Sequence, residues 1–128
     1  MSTVQIHQFD AHLTARPQLV WVQVGQERRA KATFVAISND VRGTGAERRE
    51  RPTAILWTSW GKQAEAHVAH LGKGAHVNVL GRMELSHYRR GETGEEIYRF
   101  EFTAEAVHYL DSKTTAQARQ TRQSQPAA

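Results

Sequence analysis

The 128-residue sequence contains no cysteine, only three prolines and no apolar run longer than four residues. The absence of cysteine excludes disulfides, thiol catalysis, zinc ribbons and iron–sulfur clusters. A helix that spans a bilayer needs ~20 apolar residues, so no association with a membrane is expected. No charged-then-apolar signal segment opens the sequence, and a soluble, cytoplasmic protein is expected.

The formal net charge of +4 is distributed unevenly along the chain. Lys113, Arg119 and Arg122 lie near the C-terminus in a stretch that has no acidic residue and few apolar ones. Such a composition cannot form a core, so residues 113–128 are predicted to be a disordered basic tail. Residues 1–112 are then predicted to form one domain, because single cores commonly contain ~100–150 residues.

Within that domain, arginine is concentrated in two segments that are expected to be loops. Clustered guanidinium groups bind phosphates in a bidentate manner, which makes a polyanion a candidate partner. The alternative, which charge alone favours, is a pair of solvated loops, partly neutralised by Glu47 and Glu50. The two clusters are Arg42, Arg48, Arg49 and Arg51 in the first loop and Arg89 and Arg90 in the second.

β-branched and aromatic residues predict an all-β domain with a single helix after Gly61. A long polar loop is expected at residues 39–52, and Gly81 is expected where a strand bends or another backbone approaches closely. Five principal strands with the helix between strands 3 and 4 predict an OB-fold barrel, and a half-open sandwich is the alternative. The predicted strand segments are 4–13, 19–24, 32–38, 53–60, 75–85 or beyond, and 97–110.

Catalytic and metal-binding patterns are sparse. His67 and His70 could share a helix face, but they have no carboxylate at a ligand spacing, and solvent-facing histidines are expected instead. Lys73 lies between two glycines after a helix, whereas a phosphate-binding loop needs its lysine at the start of a helix. The sequence therefore predicts neither an enzyme nor a cofactor.

The aromatic residues carry more information. Trp57 and Trp60 are three residues apart on one predicted strand, so their side chains should point to opposite faces, one to the core and one outward. Tyr88 precedes Arg89 and Arg90 near a strand end, where a ring could stack a base and arginines could neutralise phosphates. The alternative for Tyr88 and Trp60 is burial in a barrel or an interface.

These residues also resemble a known family, the bacterial single-stranded DNA-binding proteins. That family shows an aromatic-Gly-Lys-x-Ala-Glu segment, a Leu-x-Lys-Gly turn and a strand that ends in Gly-Arg. The corresponding segments are Trp60-Gly61-Lys62-Gln63-Ala64-Glu65, Leu71-Gly72-Lys73-Gly74 and Val77-Asn78-Val79-Leu80-Gly81-Arg82. The similarity covers about residues 4–112.

The resemblance implies an OB-fold homo-oligomer, a tetramer in preference to a dimer, that binds single-stranded DNA without strong sequence preference. It places the protein in DNA replication, recombination or repair and implies base stacking on Trp60 and Tyr88. The expected phosphate contacts are Arg42, Arg48, Arg49, Arg51, Lys62, Lys73, Arg89 and Arg90.

The sequence departs from the family pattern at several points. Two expected aromatic rings are replaced by Val41 and Ala54, and an expected early glycine is Ala11. The acidic tip that recruits replication and repair partners is replaced by a basic end. These losses also fit the related primosomal replication protein N, a dimer that acts in replication restart, which is the alternative. The choice between dimer and tetramer, and between DNA and RNA, stays open.

Overall fold

The computed structural model describes residues 4–111, which form six strands and one α-helix. The strands are β1 (Gln5–Leu13), β2 (Gln18–Val24), β3 (Glu27–Arg42), β4 (Arg49–Trp60), β5 (His76–Arg89) and β6 (Glu96–Tyr109). The helix α1 (Gly61–His70) follows β4. No helix within residues 4–111 is long and apolar enough to cross a membrane. The predicted tail, residues 113–128, lies outside the described residues.

The strand pairing closes into a ring. β1 pairs with β5, β5 with β6, β6 with β4, β4 with β3, and β3 pairs back with the end of β1. Every pair is antiparallel except β4–β6, which is parallel and places Trp57 opposite Phe102. β2 pairs only with β3 and lies outside the ring. The helix falls between the third and fourth strands of this five-stranded barrel, so the predicted OB fold is confirmed.

Two strands are longer than the sequence indicated. The predicted polar loop at residues 39–52 is wrong, because β3 and β4 continue as a paired hairpin until Arg42 lies opposite Arg49. Both faces of this hairpin are exposed beyond the end of the barrel. Polar residues therefore occupy both faces, and no alternation of apolar and polar residues marks the strands.

The barrel core is centred on Trp57, which is fully buried among Phe34, Val77 and Val79. Its indole Nε1 donates a hydrogen bond of 2.8 Å to Oε1 of the buried Gln8. The Gln8 Nε2 in turn donates to the Ala36 carbonyl oxygen at 2.9 Å. A buried amide without partners would cost ~1–3 kcal/mol, so these bonds join β1, β3 and β4 at little penalty.

Gly81 allows β5 and β6 to approach the Trp57 ring. A Cβ atom at this position would lie 2.1 Å from the Thr103 carbonyl oxygen and 2.6 Å from the Trp57 ring. The strand register also shifts by one residue beside Gly81, where a bulge leaves Glu105 of β6 without an opposite residue on β5. The predicted close backbone approach at Gly81 is therefore confirmed.

His67 contradicts the expectation of a solvent-facing histidine, whereas His70 is exposed as expected. The His67 ring is 3 % exposed, and its Nδ1 shares a hydrogen bond of 2.9 Å with Oγ of the buried Ser59. Burial lowers the pKa of His67 to about 4. The sequence pattern missed this contact because its partner lies on β4, which only the folded chain brings beneath the helix.

We expect Gly81→Ala to lower the free energy of unfolding by ~3 kcal/mol, because the new methyl group must displace backbone or the Trp57 ring. Urea unfolding followed by circular dichroism measures the loss. Gly91→Ala is the matched control, since no atom lies within 4 Å of a Cβ there and the residue is exposed. Equal stability of the two variants would contradict the close packing at Gly81.

We expect His67 to make folding sensitive to acid. Between pH 6.5 and about 4 the unfolded chain protonates this ring and the folded chain does not. The free energy of unfolding should therefore fall as the pH falls through that window, by up to about 1.4 kcal/mol per pH unit. His67→Gln should make this part of the profile shallower, and His70→Gln should leave it unchanged. Identical profiles for His67→Gln and the unsubstituted protein would contradict the assignment.

Candidate nucleic-acid interface

The outer face of β3 and β4 carries Trp60, the last residue of β4. Trp60 lies opposite Lys31 in the strand register, and Thr58 lies opposite Thr33. Successive residues of a strand point to opposite faces, so the burial of Trp57 in the core turns Trp60 outward. Trp60 is half-buried on that outer face. The prediction that the two tryptophans occupy opposite faces is confirmed.

Two cations lie over the Trp60 ring. The Arg29 Cζ is 5.7 Å from the ring centroid and the Lys31 Nζ is 5.6 Å from it. Cations at this distance are attracted to the electron-rich face of the ring. Arg29 and Lys31 are two residues apart on β3, so both side chains project from the outer face that also carries Trp60. An aromatic surface and two positive charges are thus placed within one side-chain length of each other.

Trp60 also lines two neighbouring depressions in the surface. The first, about 570 Å³, brings Arg29 of β3, Gln63 of α1 and Arg82 of β5 around the ring. The Gln63 Nε2 donates a hydrogen bond of 3.0 Å to the Glu105 carbonyl oxygen, which fixes the helix against the bulge in β6. The Arg82 Nε lies 2.8 Å from a Glu84 carboxylate oxygen but without the geometry of a hydrogen bond.

The second depression, about 320 Å³, lies between β4 and β6. Leu56 and Thr58 contribute from β4, and Arg99 and Phe100 contribute from β6. The Leu56 side chain is 57 % exposed. Together with Trp60, these residues offer apolar and aromatic surface beside an arginine, a combination that suits an unstacked base with its phosphate.

The predicted arginines of the first cluster lie far from Trp60, in the hairpin between β3 and β4. Arg51 is nine positions before Trp60 on the same strand, which corresponds to ~30 Å. By alternation, Arg49 and Arg51 share the face of Trp57 rather than that of Trp60. The Arg42 Nε lies 3.0 Å from an Asp40 oxygen, and an Arg48 nitrogen lies 3.4 Å from a Glu50 oxygen.

The second predicted cluster lies at the end of the β5–β6 hairpin. Tyr88 is 42 % exposed and shares a face with Arg82, which is six positions or ~20 Å earlier on β5. Arg89 forms an ion pair of 3.3 Å with Glu96, and the Arg90 backbone N–H donates to the Glu95 carbonyl oxygen. Residues 84–101 contain five glutamates and three arginines. This hairpin is therefore net negative, unlike the surface around Trp60.

The two predicted lysines lie at opposite ends of the helix. Lys62 is exposed in the first turn of α1, two residues after Trp60. Lys73 is exposed in the turn after α1, and the ten residues of the helix place it ~15 Å further away. Lys62 is therefore the nearer of the two lysines to Trp60 along the chain, although it lines neither depression beside that ring.

The two positions at which an expected aromatic is missing are both exposed. Ala54 is on the outer face of β4, six positions before Trp60, and Val41 is near the end of β3. Because side chains alternate along a strand, both side chains project from the same face of the sheet as Trp60. The structure therefore leaves the β3–β4 face with one tryptophan, and its exposed large apolar residues besides Trp60 are the aliphatic Leu56 and Val41.

Sequence reasoning missed Arg29 and Lys31, which lie closer to Trp60 than any of the predicted cations on the β hairpins. The predicted third strand begins at residue 32, whereas β3 begins at Glu27 and therefore includes both cations. The available signal was the alternation of Arg29, Lys31 and Thr33, which continues that of the strand. A basic residue on alternate positions of a strand marks a charged face rather than a charged loop.

Within residues 4–111, no three histidine or acidic side chains are arranged to hold a metal ion. The His12 and His76 rings stack in parallel with their centroids 4.5 Å apart, and the His76 Nε2 contacts an Asp10 carboxylate oxygen. These groups join β1 to β5 at the end of the barrel.

A closed five-stranded barrel with one helix between its third and fourth strands is the architecture of an OB-fold protein. Its outer face carries a tryptophan flanked by two cations. The sequence model of the single-strand binding protein family matches residues 9–110 of this chain. The chain belongs to that family.

Three relatives are similar over most of this chain. It is 30 % identical over 104 residues to "Single-stranded DNA-binding protein 1" of Clostridium acetobutylicum. The aligned residues cover 81 % of this chain and 91 % of that protein. It is 34 % identical over 101 residues to "Single-stranded DNA-binding protein 3" of Listeria innocua, covering 79 % and 60 %. It is 32 % identical over 102 residues to "Single-stranded DNA-binding protein" of Bacillus cereus, covering 79 % and 56 %. The chain thus spans less than two thirds of the last two.

Proposed function

We propose that the protein binds single-stranded DNA, without chemistry and without strong sequence preference, on the outer face of β3 and β4. The observation that carries this proposal is the Trp60 ring with Arg29 and Lys31 at 5.7 and 5.6 Å from its centroid. Every base has a π-face that a tryptophan can stack, so such a surface is tolerant of sequence. Each neighbouring cation releases a counterion when it meets a phosphate.

Single strands fit this face better than duplex. A base can lie against Trp60 only after it leaves the base stack, and this costs little in a single strand. The depression beside Leu56 and Phe100 gives apolar surface for a neighbouring base, and Arg99 lies at its edge. The depression at Arg82 and Gln63 extends the path on the other side of the ring.

Trp60, Arg29 and Lys31 form the first zone of contact in this proposal. The other predicted contacts, on the helix and the two long hairpins, form a second zone. Tyr88, Arg89 and Arg90 would reach DNA only from the end of a hairpin that is net negative. Lys62 would act beside Trp60, and Lys73 at the far end of the helix. The arginines of the β3–β4 hairpin would contact a strand that wraps around the hairpin beyond the barrel, where both of its faces are exposed; they are Arg42, Arg48, Arg49 and Arg51.

We further propose a role in DNA replication, recombination or repair, and a homo-oligomer with a tetramer preferred to a dimer, as the family resemblance implies. The relatives named above support the first resemblance over that to the primosomal replication protein N. The DNA-binding domain would comprise residues 1–112, with residues 113–128 as a basic tail that adds weak, salt-sensitive affinity.

We expect Trp60→Ala to weaken the binding of oligo-dT by ~1–3 kcal/mol, because one stacked base loses its aromatic partner. Fluorescence anisotropy of labelled oligo-dT measures the affinity. Trp60→Phe should keep most of it, since a phenyl ring still stacks. Trp57→Ala is the contrasting variant: it should lower the free energy of unfolding by ~3–5 kcal/mol while the folded fraction retains its affinity. Unchanged binding by a folded Trp60→Ala protein would remove the basis of the proposal.

We expect the salt dependence of binding to separate the two zones. Replacing Arg29 and Lys31 together by alanine should reduce the slope of log K against log salt by ~1.4, because each phosphate contact on a single strand contributes ~0.7. The matched pair is Arg89 and Arg90, whose replacement should change the slope less, since Arg89 already pairs with Glu96. A larger change from the hairpin pair would move the DNA path to the β5–β6 hairpin.

A further inference from the structure

Trp21 is an exposed tryptophan that lies outside the surface described above. It is on β2, opposite Ala30 of β3, and its side chain is 49 % exposed. Val20 and Val22 lie opposite Lys31 and Arg29, so the two valines are on the same face of the sheet as Trp60. Because side chains alternate, Trp21 points to the other face of the β2–β3 hairpin.

A cation also accompanies Trp21. The Arg28 Cζ lies 6.0 Å from the centroid of its ring. Arg28 lies opposite Gln23, which is two residues from Trp21 on β2. The side chains of Arg28 and Trp21 therefore project from the same face of the hairpin. The combination is the one seen at Trp60, an accessible indole beside a guanidinium group. Such a pair can stack a base and neutralise its phosphate.

A strand of nucleic acid could pass directly from one tryptophan to the other. Trp60, Lys31 and Val20 are register partners on β4, β3 and β2. Neighbouring strands lie ~4.8 Å apart, so the backbones at Trp60 and Trp21 are about 10 Å apart. Among the strands of residues 4–111, β2 pairs only with β3, and none of the others covers its outer edge. The edge therefore presents unpaired backbone groups instead of a barrier.

Charge favours a polyanion as the occupant of this hairpin. Between residues 18 and 33 the only acidic residue is Glu27, against Arg28, Arg29 and Lys31. The cations alternate between the two faces, with Arg28 on one and Arg29 and Lys31 on the other. A phosphate chain that crosses the hairpin edge would thus meet a positive charge on each side. An apolar protein surface would have to desolvate these three charges.

We propose that Trp21 and Arg28 form a second stacking site for the same DNA strand that Trp60 binds, with the strand crossing the outer edge of β2. This rests on the proposed function, because it takes Trp60 as the first contact. It makes the bound length of DNA longer than the β3–β4 face alone would require. It also assigns to the β2–β3 hairpin a role that the two longer hairpins were expected to fill.

The test compares oligo-dT of increasing length on Trp21→Ala and Trp60→Ala. For an oligonucleotide too short to cross the hairpin, Trp21→Ala should bind like the unsubstituted protein and Trp60→Ala should bind more weakly. For a longer one, Trp21→Ala should also lose affinity, by about 5- to 150-fold, which corresponds to one stacked base. Trp21→Phe should restore most of that loss, and Arg28→Ala should reduce the salt slope by ~0.7.

Fluorescence gives a second readout that a structural role of Trp21 would not produce. In Trp60→Phe the remaining tryptophans are Trp21 and the buried Trp57. Long oligo-dT should quench this variant and short oligo-dT should not. The double variant Trp60→Phe/Trp21→Phe should show no quenching at either length. Phe9→Ala and Arg16→Ala serve as matched controls, because both residues are exposed and lie on other parts of the chain.

The outcomes distinguish this proposal from the proposed function. If Trp60→Ala weakens binding while Trp21→Ala binds every length normally, the second site is wrong and the first stands. If neither variant loses affinity, both are wrong. Light scattering supplies a further check at matched concentration. A smaller particle mass for Trp21→Ala would show that a second copy of the chain covers Trp21, and this would overturn the proposal.

Discussion

The packing of the Trp57 ring against Gly81 is the contact on which the rest of the structure depends. It lies where β4 and β6 meet in parallel and close the ring, and a single methyl group on Gly81 would collide with both the Thr103 carbonyl and the indole. The hydrogen bond from Trp57 to Gln8 ties the same ring to β1. With Trp57 fixed inward, the alternation of β4 leaves Trp60 no orientation but outward. The interior contact thus determines the exterior site.

Electrostatics then determine which part of the outer surface is suited to DNA. The hairpins carry many arginines, but acidic residues accompany them, and Arg42, Arg48 and Arg89 each lie within 4 Å of a carboxylate. Exposed pairs of this kind contribute little to stability, yet they reduce the charge available to a phosphate. Arg29 and Lys31 instead face an aromatic ring. Within residues 4–111, the two cations beside Trp60 therefore form no ion pair, whereas three of the hairpin arginines each have a carboxylate partner.

The sequence predicted the elements that leave a periodic signal. The alternation around Trp57 and Trp60, the helix after Gly61 and the close approach at Gly81 all follow from local rules, and the structure confirms them. The burial of His67 could not be predicted in this way, because Ser59 is a partner only once β4 lies beneath α1. The pairing of residues 39–52 was hidden for a different reason. A hairpin with two exposed faces has no apolar stripe.

The sequence by itself determined an all-β domain with a single helix and the opposite directions of Trp57 and Trp60, because strand alternation and helix periodicity are properties of neighbouring residues. Only the tertiary structure decided which cations stand beside the Trp60 ring. Arg29 and Trp60 are distant along the chain, and the antiparallel register of β3 and β4 brings them together. The same register separates Trp60 from the arginine cluster at the hairpin tip. Charge counted along the sequence cannot show this, since a field depends on distance in space.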